Sequence, residues 1–203
     1  GAVVTTSAMT ADLVAQEFST PRARLFFAPP GVDPAPRATG SGGDGVSLFS
    51  VGSLTPRKGY ADLLRALTHV SGAWRLTIAG SRDLAPDHAR EIETMIATSG
   101  LSDRIHLAGA MNASEIAAGY ASADLFVTPS HFEGFGMAIA EAIAHGLPVI
   151  ATREVAAAGA LPATAGLTYP AGDALALAAR LNRLIADADL RAALSDAAWT
   201  AAQ

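Results

Sequence analysis

The sequence lacks cysteine, has few charged residues and contains no long apolar run. Without cysteine, disulfide bonds, thiolate metal sites and thiol nucleophiles are excluded, and a reducing compartment is favoured. Only 16% of the 203 residues are charged and 50% are hydrophobic, so the chain can bury the core of one domain, or of one domain plus a fragment. Apolar runs such as Leu125–Val127 and Leu147–Ala151 are far too short to span a bilayer.

Strong positive charge is also missing. Fourteen basic residues stand against nineteen acidic ones, which gives a net charge of -5, and the basic residues are scattered along the chain. Proteins that bind a phosphate backbone carry clustered basic residues, so a nucleic-acid partner is disfavoured. No charged signal region precedes Gly1, which lies within a predicted strand, and we expect the chain to begin inside a longer protein.

Short apolar runs rich in β-branched residues alternate with helical patterns. Leucines fall at helical spacing in the segments 60–67 and 177–184, which gives each helix one apolar face. This alternation predicts an α/β fold with a Rossmann-like, doubly wound parallel sheet. The predicted strands are 46–51, 74–79, 105–107, 124–127, 148–151 and 166–169.

The first 45 residues differ in character from the rest. A proline-rich stretch around Pro29–Pro36 and a polar, glycine-rich stretch at 40–45 together indicate an interdomain linker. The predicted units are therefore 1–30, the tail of another domain; 31–45, the linker; and 46–203, the Rossmann-like domain. Within the first unit we predict a strand at Val3–Ser7, a helix at Thr10–Phe18 and a strand at Leu25–Ala28.

Residues 40–45 match the dinucleotide fingerprint G-x-G-x-x-G, but in the wrong context. The fingerprint must follow a strand and open a helix, so that the pyrophosphate sits at the helix N-terminus. These glycines instead precede a strand. A nicotinamide-dependent oxidoreductase is therefore disfavoured, although it would share the fold class.

A better phosphate candidate follows the first strand of the domain, in the segment from Gly52 to Gly59. It lies where a strand ends and a helix begins, which is the edge where open α/β folds bind ligands. Gly52 allows close approach of a backbone, and Arg57 and Lys58 can neutralise a diphosphate. The alternative is a solvated basic pair at a helix start, where cations are mildly unfavourable unless an anion binds.

A second candidate follows the strand at 124–127. Glu133 and Glu141 stand eight residues apart around a Gly134–Gly136 turn that can expose backbone amides. If one continuous helix carried both glutamates, their carboxylates would lie broadly on one side and could bind sugar and ribose hydroxyls. The alternative is that Glu133 complements a helix dipole and Glu141 is a surface residue.

The spacing of these glutamates in EGFGMAIAEA, after LFVTPS, resembles the E-x7-E signature of retaining glycosyltransferases of family 4, also called glycosyl transferases group 1. Further segments on both sides of this motif match the family in the same order and spacing: VGSLTPRKGYADLLRAL, RLTIAGS, DRIHLAGAM, AIAHGLPVIAT and TAGLTYPAGD. The resemblance therefore covers residues 46–190. VVTTSAMTADLVAQ and FFAPPGVDP are similar to the end of the family's N-terminal domain and its linker. The resemblance implies the nucleotide-sugar-binding, C-terminal half of a GT-B glycosyltransferase.

The resemblance also implies roles for individual residues. Arg57 and Lys58 would neutralise the diphosphate leaving group without a metal, Glu133 would contact the transferred sugar, and Glu141 would bind the ribose. Transfer would proceed at the front face with retention, and the departing phosphate would help to deprotonate the acceptor hydroxyl. The remaining donor-binding candidates are Gly52, Ser53 and Leu54 beside the phosphates, Gly80, Gly109 and Ala110 beside the base, and Ser130, Gly134, Phe135, Gly136 and Met137 in the glutamate loop.

Several features depart from the family's pattern. Ser53 stands where many relatives have arginine, and residues 153–163 lack the usual glycine pair and glutamate. Most of the N-terminal domain, which would hold the acceptor, is not in the chain, so we expect the fragment to bind a donor better than it turns it over. We also expect a cytoplasmic location, at the membrane periphery if the N-terminal domain docks there.

The predicted substrates are a UDP- or GDP-sugar and a saccharide, lipid or small-molecule acceptor, with no cofactor. The alternative function is a non-catalytic nucleotide-sugar-binding module or a degenerate partner subunit. No H-E-x-x-H spacing occurs, so no metal site is assigned and most histidines are expected at the surface. His131 is assigned a spacer role, with a sugar or diphosphate contact as the alternative, and Asn112 is predicted to cap a helix before Glu115.

Overall fold

The computed structural model describes residues 1–43, 45–156 and 159–203. The strands are β1 (Val3–Thr5), β2 (Leu25–Phe27), β3 (Val46–Val51), β4 (Trp74–Ala79), β5 (Ile105–Gly109), β6 (Leu125–Thr128), β7 (Val149–Thr152) and β8 (Gly166–Tyr169). All six strands predicted beyond residue 45 are present, and those at 46–51, 74–79 and 166–169 have the predicted bounds. They form one parallel sheet in the order β5-β4-β3-β6-β7-β8, which confirms the doubly wound fold.

The helices after residue 45 cover both faces of this sheet, whereas the first helix packs against β1 and β2. They are α1 (Ala8–Glu17), α2 (Tyr60–Leu67), α3 (Pro86–Thr98), α4 (Ala113–Ser122), α5 (Met137–Ala144), α6 (Arg153–Ala156), α7 (Ala174–Ala186) and α8 (Ala188–Ala201). Short 3-10 turns lie at Arg22–Arg24 and Pro56–Lys58. Asn112 caps α4 as predicted: its side chain accepts from the amide of Glu115, whose carboxylate accepts from the amide of Asn112.

The core has two layers, one on each face of the sheet. Adjacent residues of β3 belong to different layers, with Leu48 packed among the leucines of α2 and α7 and Phe49 packed against Tyr120 of α4. Both residues are fully buried. Side chains of a strand point alternately to its two faces, so burial on both sides explains the nearly continuous apolar composition of these strands.

The strand order reverses beside β3, which positions the candidate site. β3 pairs with β4 on one side and with β6 on the other, so the connections that leave β3 and β6 diverge and open a crevice between them. The turn Pro56–Lys58 follows β3, and the loop 129–136 follows β6. The two candidate segments therefore meet at the carboxyl edge of adjacent strands.

The segment before β3 contains a separate, two-stranded parallel sheet of β1 and β2. It touches the loop after β6, since the hydroxyls of Thr6 and Thr10 donate to the Gly134 carbonyl at 3.4 and 3.1 Å. Its aromatic side chains, among them Phe18 and Phe26, are exposed to solvent. Among the helices of the described residues, none is long and apolar enough to cross a membrane.

Candidate functional site

The turn after β3 and the loop after β6 are in direct backbone contact. The amide of His131 donates to the Arg57 carbonyl at 2.9 Å. Gly59 has a φ of 67°, and a Cβ at this position would lie 2.1 Å from the Pro129 carbonyl oxygen. A side chain at position 59 would therefore both strain the backbone and separate the two segments.

Charged side chains reinforce this contact. Lys58 Nζ donates to Glu133 Oε1 at 2.5 Å, and Arg57 donates to Glu133 Oε2 at 3.1 Å and to the Phe132 carbonyl at 2.6 Å. The Lys58 and Glu133 side chains are each only 16% exposed. Lys58 is therefore not the solvated cation of the alternative interpretation, and Glu133 provides the anion that a basic pair at a helix start requires.

Glu133 is held in its ionised form. Burial opposes ionisation, but the hydrogen bond and charge of Lys58, with smaller contributions from Ser130 and Arg57, outweigh it and lower the pKa of Glu133. Ser130 is itself buried. The result is a compact network in which two cations share one carboxylate, so one positive charge is left in excess.

Glu133 and Glu141 do not lie on one continuous helix, so the expectation that their carboxylates share one side of a helix is wrong. Helix α5 begins only at Met137, after Gly136 adopts a left-handed φ of 96°, so Glu133 lies in the preceding loop. Glu141 lies within α5, where its Oε2 accepts from the Tyr120 hydroxyl at 2.9 Å. The two carboxylates therefore have different partners.

The loop between the glutamates presents backbone amides. Within the described part of the chain, no protein group accepts a hydrogen bond from the amides of Gly134, Phe135, Gly136 or Met137. They precede and open α5, so their N–H dipoles and the helix dipole favour an anion at this position. The Gly134 carbonyl, in turn, accepts hydrogen bonds from the hydroxyls of Thr6 and Thr10, which lie just before and within α1.

Close packing explains two of the other predicted glycines. A Cβ at Gly52 would lie 2.9 Å from Lys58 Cε, and one at Gly80 would lie 1.9 Å from the Gly52 carbonyl oxygen. The Tyr60 hydroxyl donates to that same carbonyl at 3.0 Å. Gly52 and Gly80 thus let the ends of β3 and β4 approach the lysine.

Leu54 does not fit its predicted role beside the phosphates. Its side chain is buried in the core with 1% exposure, and its amide donates to the Ser81 carbonyl at 2.9 Å. Neither the side chain nor the amide is available to a ligand. Ser53, immediately before it, is only half-buried.

A cavity of about 560 Å³ adjoins Glu141. Its wall includes Val51, Met111 and Met137 at the carboxyl edge, together with Val32 and Asp33 of the predicted linker. Gly109 and Ala110 precede Met111, and the Gly109 carbonyl accepts from the Gly80 amide at 2.7 Å. This volume is within the range of pockets that bind small molecules.

The structure adds residues that the sequence did not indicate. His131 is not a spacer, because its Nε2 donates to Asp62 of α2 at 2.6 Å. Tyr120, buried in α4, holds Glu141 and stacks on the buried ring of His145. No spacing pattern signals either contact, since Asp62 and His131 are 69 positions apart. Of residues 153–163, positions 157 and 158 lie outside the described residues.

Comparison with known proteins shows the family of the chain. The sequence profile of a family described as Glycosyl transferases group 1 matches residues 33–200, most of the chain. The chain belongs to the glycosyl transferases group 1 family. D-inositol 3-phosphate glycosyltransferase of Xylanimonas cellulosilytica is 31% identical over 201 residues, which cover 89% of this chain and 47% of that protein. MMP alpha-(1->4)-mannosyltransferase of Mycolicibacterium hassiacum is 31% identical over 191 residues, with coverages of 90% and 45%.

Solved structures agree with the family assignment. Sucrose-phosphate synthase of Thermosynechococcus elongatus has a TM-score of 0.87 at 25% identity and matches 100% of this chain over 53% of its own. Anabaena Alr3699/HepE in complex with UDP and glucose has a TM-score of 0.89 at 21% identity, over 99% of this chain and 58% of its own. The group 1 membership and the GT-B-type fold expected from the sequence are both confirmed. The chain spans about half the length of the curated relatives it matches.

Proposed function

We propose that this group 1 glycosyltransferase chain is the donor-binding half of an enzyme that transfers a glycosyl unit from a nucleoside diphosphate sugar to an acceptor hydroxyl with retention. The observation that carries the proposal is the meeting of Arg57 and Lys58 with the Glu133 loop in one crevice. Two cations, a row of backbone amides and a carboxylate suit a diphosphate joined to a sugar.

Each part of the site takes a part of the donor in this proposal. The diphosphate lies against Arg57, Lys58 and the amides of the Gly134–Met137 segment, and the close packing of Gly80 on Gly52 and of Gly52 on Lys58 keeps the lysine in place. Glu133 turns from the cations to hydroxyls of the transferred sugar. Ser53 and Ser130 provide polar surroundings, while Leu54 only supports the turn from the core.

The nucleoside lies in the cavity beside Glu141, with the ribose on this carboxylate and the base towards Gly109, Ala110 and Met111. The Tyr120 hydroxyl leaves Glu141 Oε1 available for a ribose hydroxyl, since its contact is with Oε2. The solved Anabaena HepE complexes contain UDP or UDP-glucose, which makes a uridine nucleotide the first candidate.

The chemistry assigned to the chain is charge neutralisation at the leaving group. The bond between the anomeric carbon and the diphosphate oxygen breaks while a bond to the acceptor oxygen forms on the same face. The acceptor proton passes to the departing phosphate oxygen, whose negative charge Arg57 and Lys58 stabilise. These two cations supply the charge that a divalent metal could otherwise provide, so the proposed reaction requires no metal.

We also propose the division into residues 1–30 of an acceptor-side domain, a linker at 31–45 and the donor domain at 46–203. The separate β1–β2 sheet and its exposed aromatic side chains support this division. The acceptor, whether saccharide, lipid or small molecule, would bind across the crevice from the donor.

Calorimetric titration of the chain with UDP, UMP and pyrophosphate tests the proposal. We expect Lys58→Ala to weaken UDP and pyrophosphate at least about tenfold, as for a lost charged hydrogen bond, and UMP less. Glu141→Ala should weaken UDP and UMP alike and leave pyrophosphate unchanged. Arg90→Ala, which removes an exposed cation of α3, is the matched control.

Absence of nucleotide binding by the folded chain, or equal losses for all three ligands in both variants, would refute the assigned roles. GDP, titrated in parallel, decides the base. A sugar-transfer assay on the protein with its acceptor-side domain then separates an enzyme from a binding module that does not catalyse transfer.

A further inference from the structure

Two residues outside the proposed donor contacts join the two halves of the crevice. His131 Nε2 donates to Asp62 Oδ2 at 2.6 Å, while Arg65 donates to the other carboxylate oxygen, Oδ1, at 2.8 Å. Asp62 is buried, with 9% exposure. A buried carboxylate whose two oxygens both accept from cationic or imidazole donors is a fixed point in the structure.

The position of His131 in the chain gives this contact its importance. Its amide is bonded to the Arg57 carbonyl, and its ring lies 3.3 Å from the position of a Cβ at Gly59. Glu133 follows only two residues later. The side-chain contact with Asp62 and the backbone contact with Arg57 together restrict where the Glu133 carboxylate can lie relative to the cationic turn.

We propose that Asp62 and His131 form a positioning pair that sets the geometry of Glu133 relative to Arg57 and Lys58. The inference rests on the proposed donor site and deepens it. When a diphosphate sugar binds, Arg57, Lys58 and Glu133 must all exchange their mutual contacts for contacts with the ligand. The Asp62–His131 contact uses none of these side chains, so it holds the loop in register throughout the exchange.

The pair therefore acts on recognition of the sugar more than on recognition of the nucleoside. Glu133 is the residue assigned to the sugar, and it reaches this position through the loop that His131 anchors. Glu141 and the nucleoside cavity belong to α5 and α4 and do not depend on the Asp62 contact. Loss of the pair should lower the affinity for UDP-glucose towards that for UDP.

The binding test is a double-mutant cycle with Asp62→Ala, His131→Ala and the double variant, titrated with UDP-glucose and UMP. Each single variant should weaken UDP-glucose about tenfold, as expected for a misplaced contact, and UMP less than about twofold. The double variant should bind UDP-glucose no more weakly than either single variant, because each single substitution already removes the Asp62–His131 contact. His131→Gln, which keeps a side-chain donor, should recover part of the loss.

The control is the exposed carboxylate–arginine pair Asp87 and Arg90 of α3, which has the same i,i+3 spacing as Asp62 and Arg65. Its alanine variants should leave UDP-glucose binding unchanged. Additive losses in the Asp62–His131 cycle, or equal losses for UMP and UDP-glucose, would overturn the positioning role.

A second measurement needs no ligand and so separates this inference from the donor proposal. Carboxyl carbon NMR follows the titration of Glu133 in the unliganded chain. In Asp62→Ala and His131→Ala, the lowered pKa of Glu133 should return towards its ordinary value, because Lys58 is no longer held against it. An unchanged titration in folded variants would overturn the inference even if nucleotides bind, whereas a changed titration without nucleotide binding would refute only the donor proposal.

Discussion

Lys58 and Glu133 form an ion pair across the crevice with a separation of 2.5 Å, and both residues are assigned to the donor. In the proposed donor site, the carboxylate occupies the position on the lysine where a phosphate oxygen would bind. An incoming diphosphate therefore competes with a group of the same charge that belongs to the protein.

This competition predicts opposite effects of one substitution on two ligands. Glu133→Gln removes the competing charge, so UDP should bind roughly twofold to fivefold more tightly, as expected for a partly exposed ion pair. The additional affinity for UDP-glucose over UDP should decrease, because the sugar loses its carboxylate. Titration of both nucleotides checks the prediction, and weaker binding of UDP by the variant would contradict it.

The same ion pair predicts a pH dependence of stability. The pKa of Glu133 is lowered from an ordinary value of 4.5 in the folded chain, so its contribution to stability is present above that pH and is lost as the pH falls through the folded pKa. Thermal unfolding measured from pH 6 downwards should show a steeper loss of stability below about pH 4.5 for the unaltered chain than for Glu133→Gln. Parallel curves would contradict the prediction.

Tyr120→Phe tests the support of Glu141. The phenol is buried, its pKa is raised by burial and by the neighbouring Glu141, and its hydroxyl donates to that carboxylate. Its removal should lower the free energy of unfolding by about 1–2 kcal/mol. It should also weaken the binding of UMP and of UDP to the same extent, roughly threefold to tenfold. Pyrophosphate binding should not change, and a selective loss of pyrophosphate would show that the nucleoside assignment is wrong.

Gly80 and Gly109 make a matched pair for the packing of the carboxyl edge. A Cβ at Gly80 would clash with the Gly52 carbonyl, whereas a Cβ at Gly109 would have no atom within 4 Å. At Gly109 the strain of a substitution comes from the left-handed φ of 76°. Gly80→Ala should therefore cost about 3 kcal/mol or more and weaken UDP by displacing Gly52. Gly109→Ala should cost about 1 kcal/mol in denaturant unfolding. Equal costs would contradict the packing described at Gly52.

Much of the site could be predicted because local sequence determines it. The apolar, β-branched runs and the leucines at helical spacing were sufficient to place the strands, and the carboxyl ends of parallel strands always share one edge. Arg57, Lys58 and Glu133 each follow such a strand, so their meeting in one crevice follows from the strand order. The interpretation of Glu133 and Glu141 as residues of one helical face was wrong. Gly136 takes a left-handed conformation, so α5 begins at Met137 and does not include Glu133.

The sequence by itself determined the fold class, the family and the identity of the charged residues near the crevice, since these depend on periodicity and on short motifs. Only the tertiary structure decided which charge faces which. The Leu54 side chain lies in the core, His131 contacts Asp62 and Tyr120 contacts Glu141. Each of these contacts joins segments that are distant in the sequence and adjacent in the fold. Such contacts are set by the close packing of the two layers around the sheet, and no spacing along the chain encodes them.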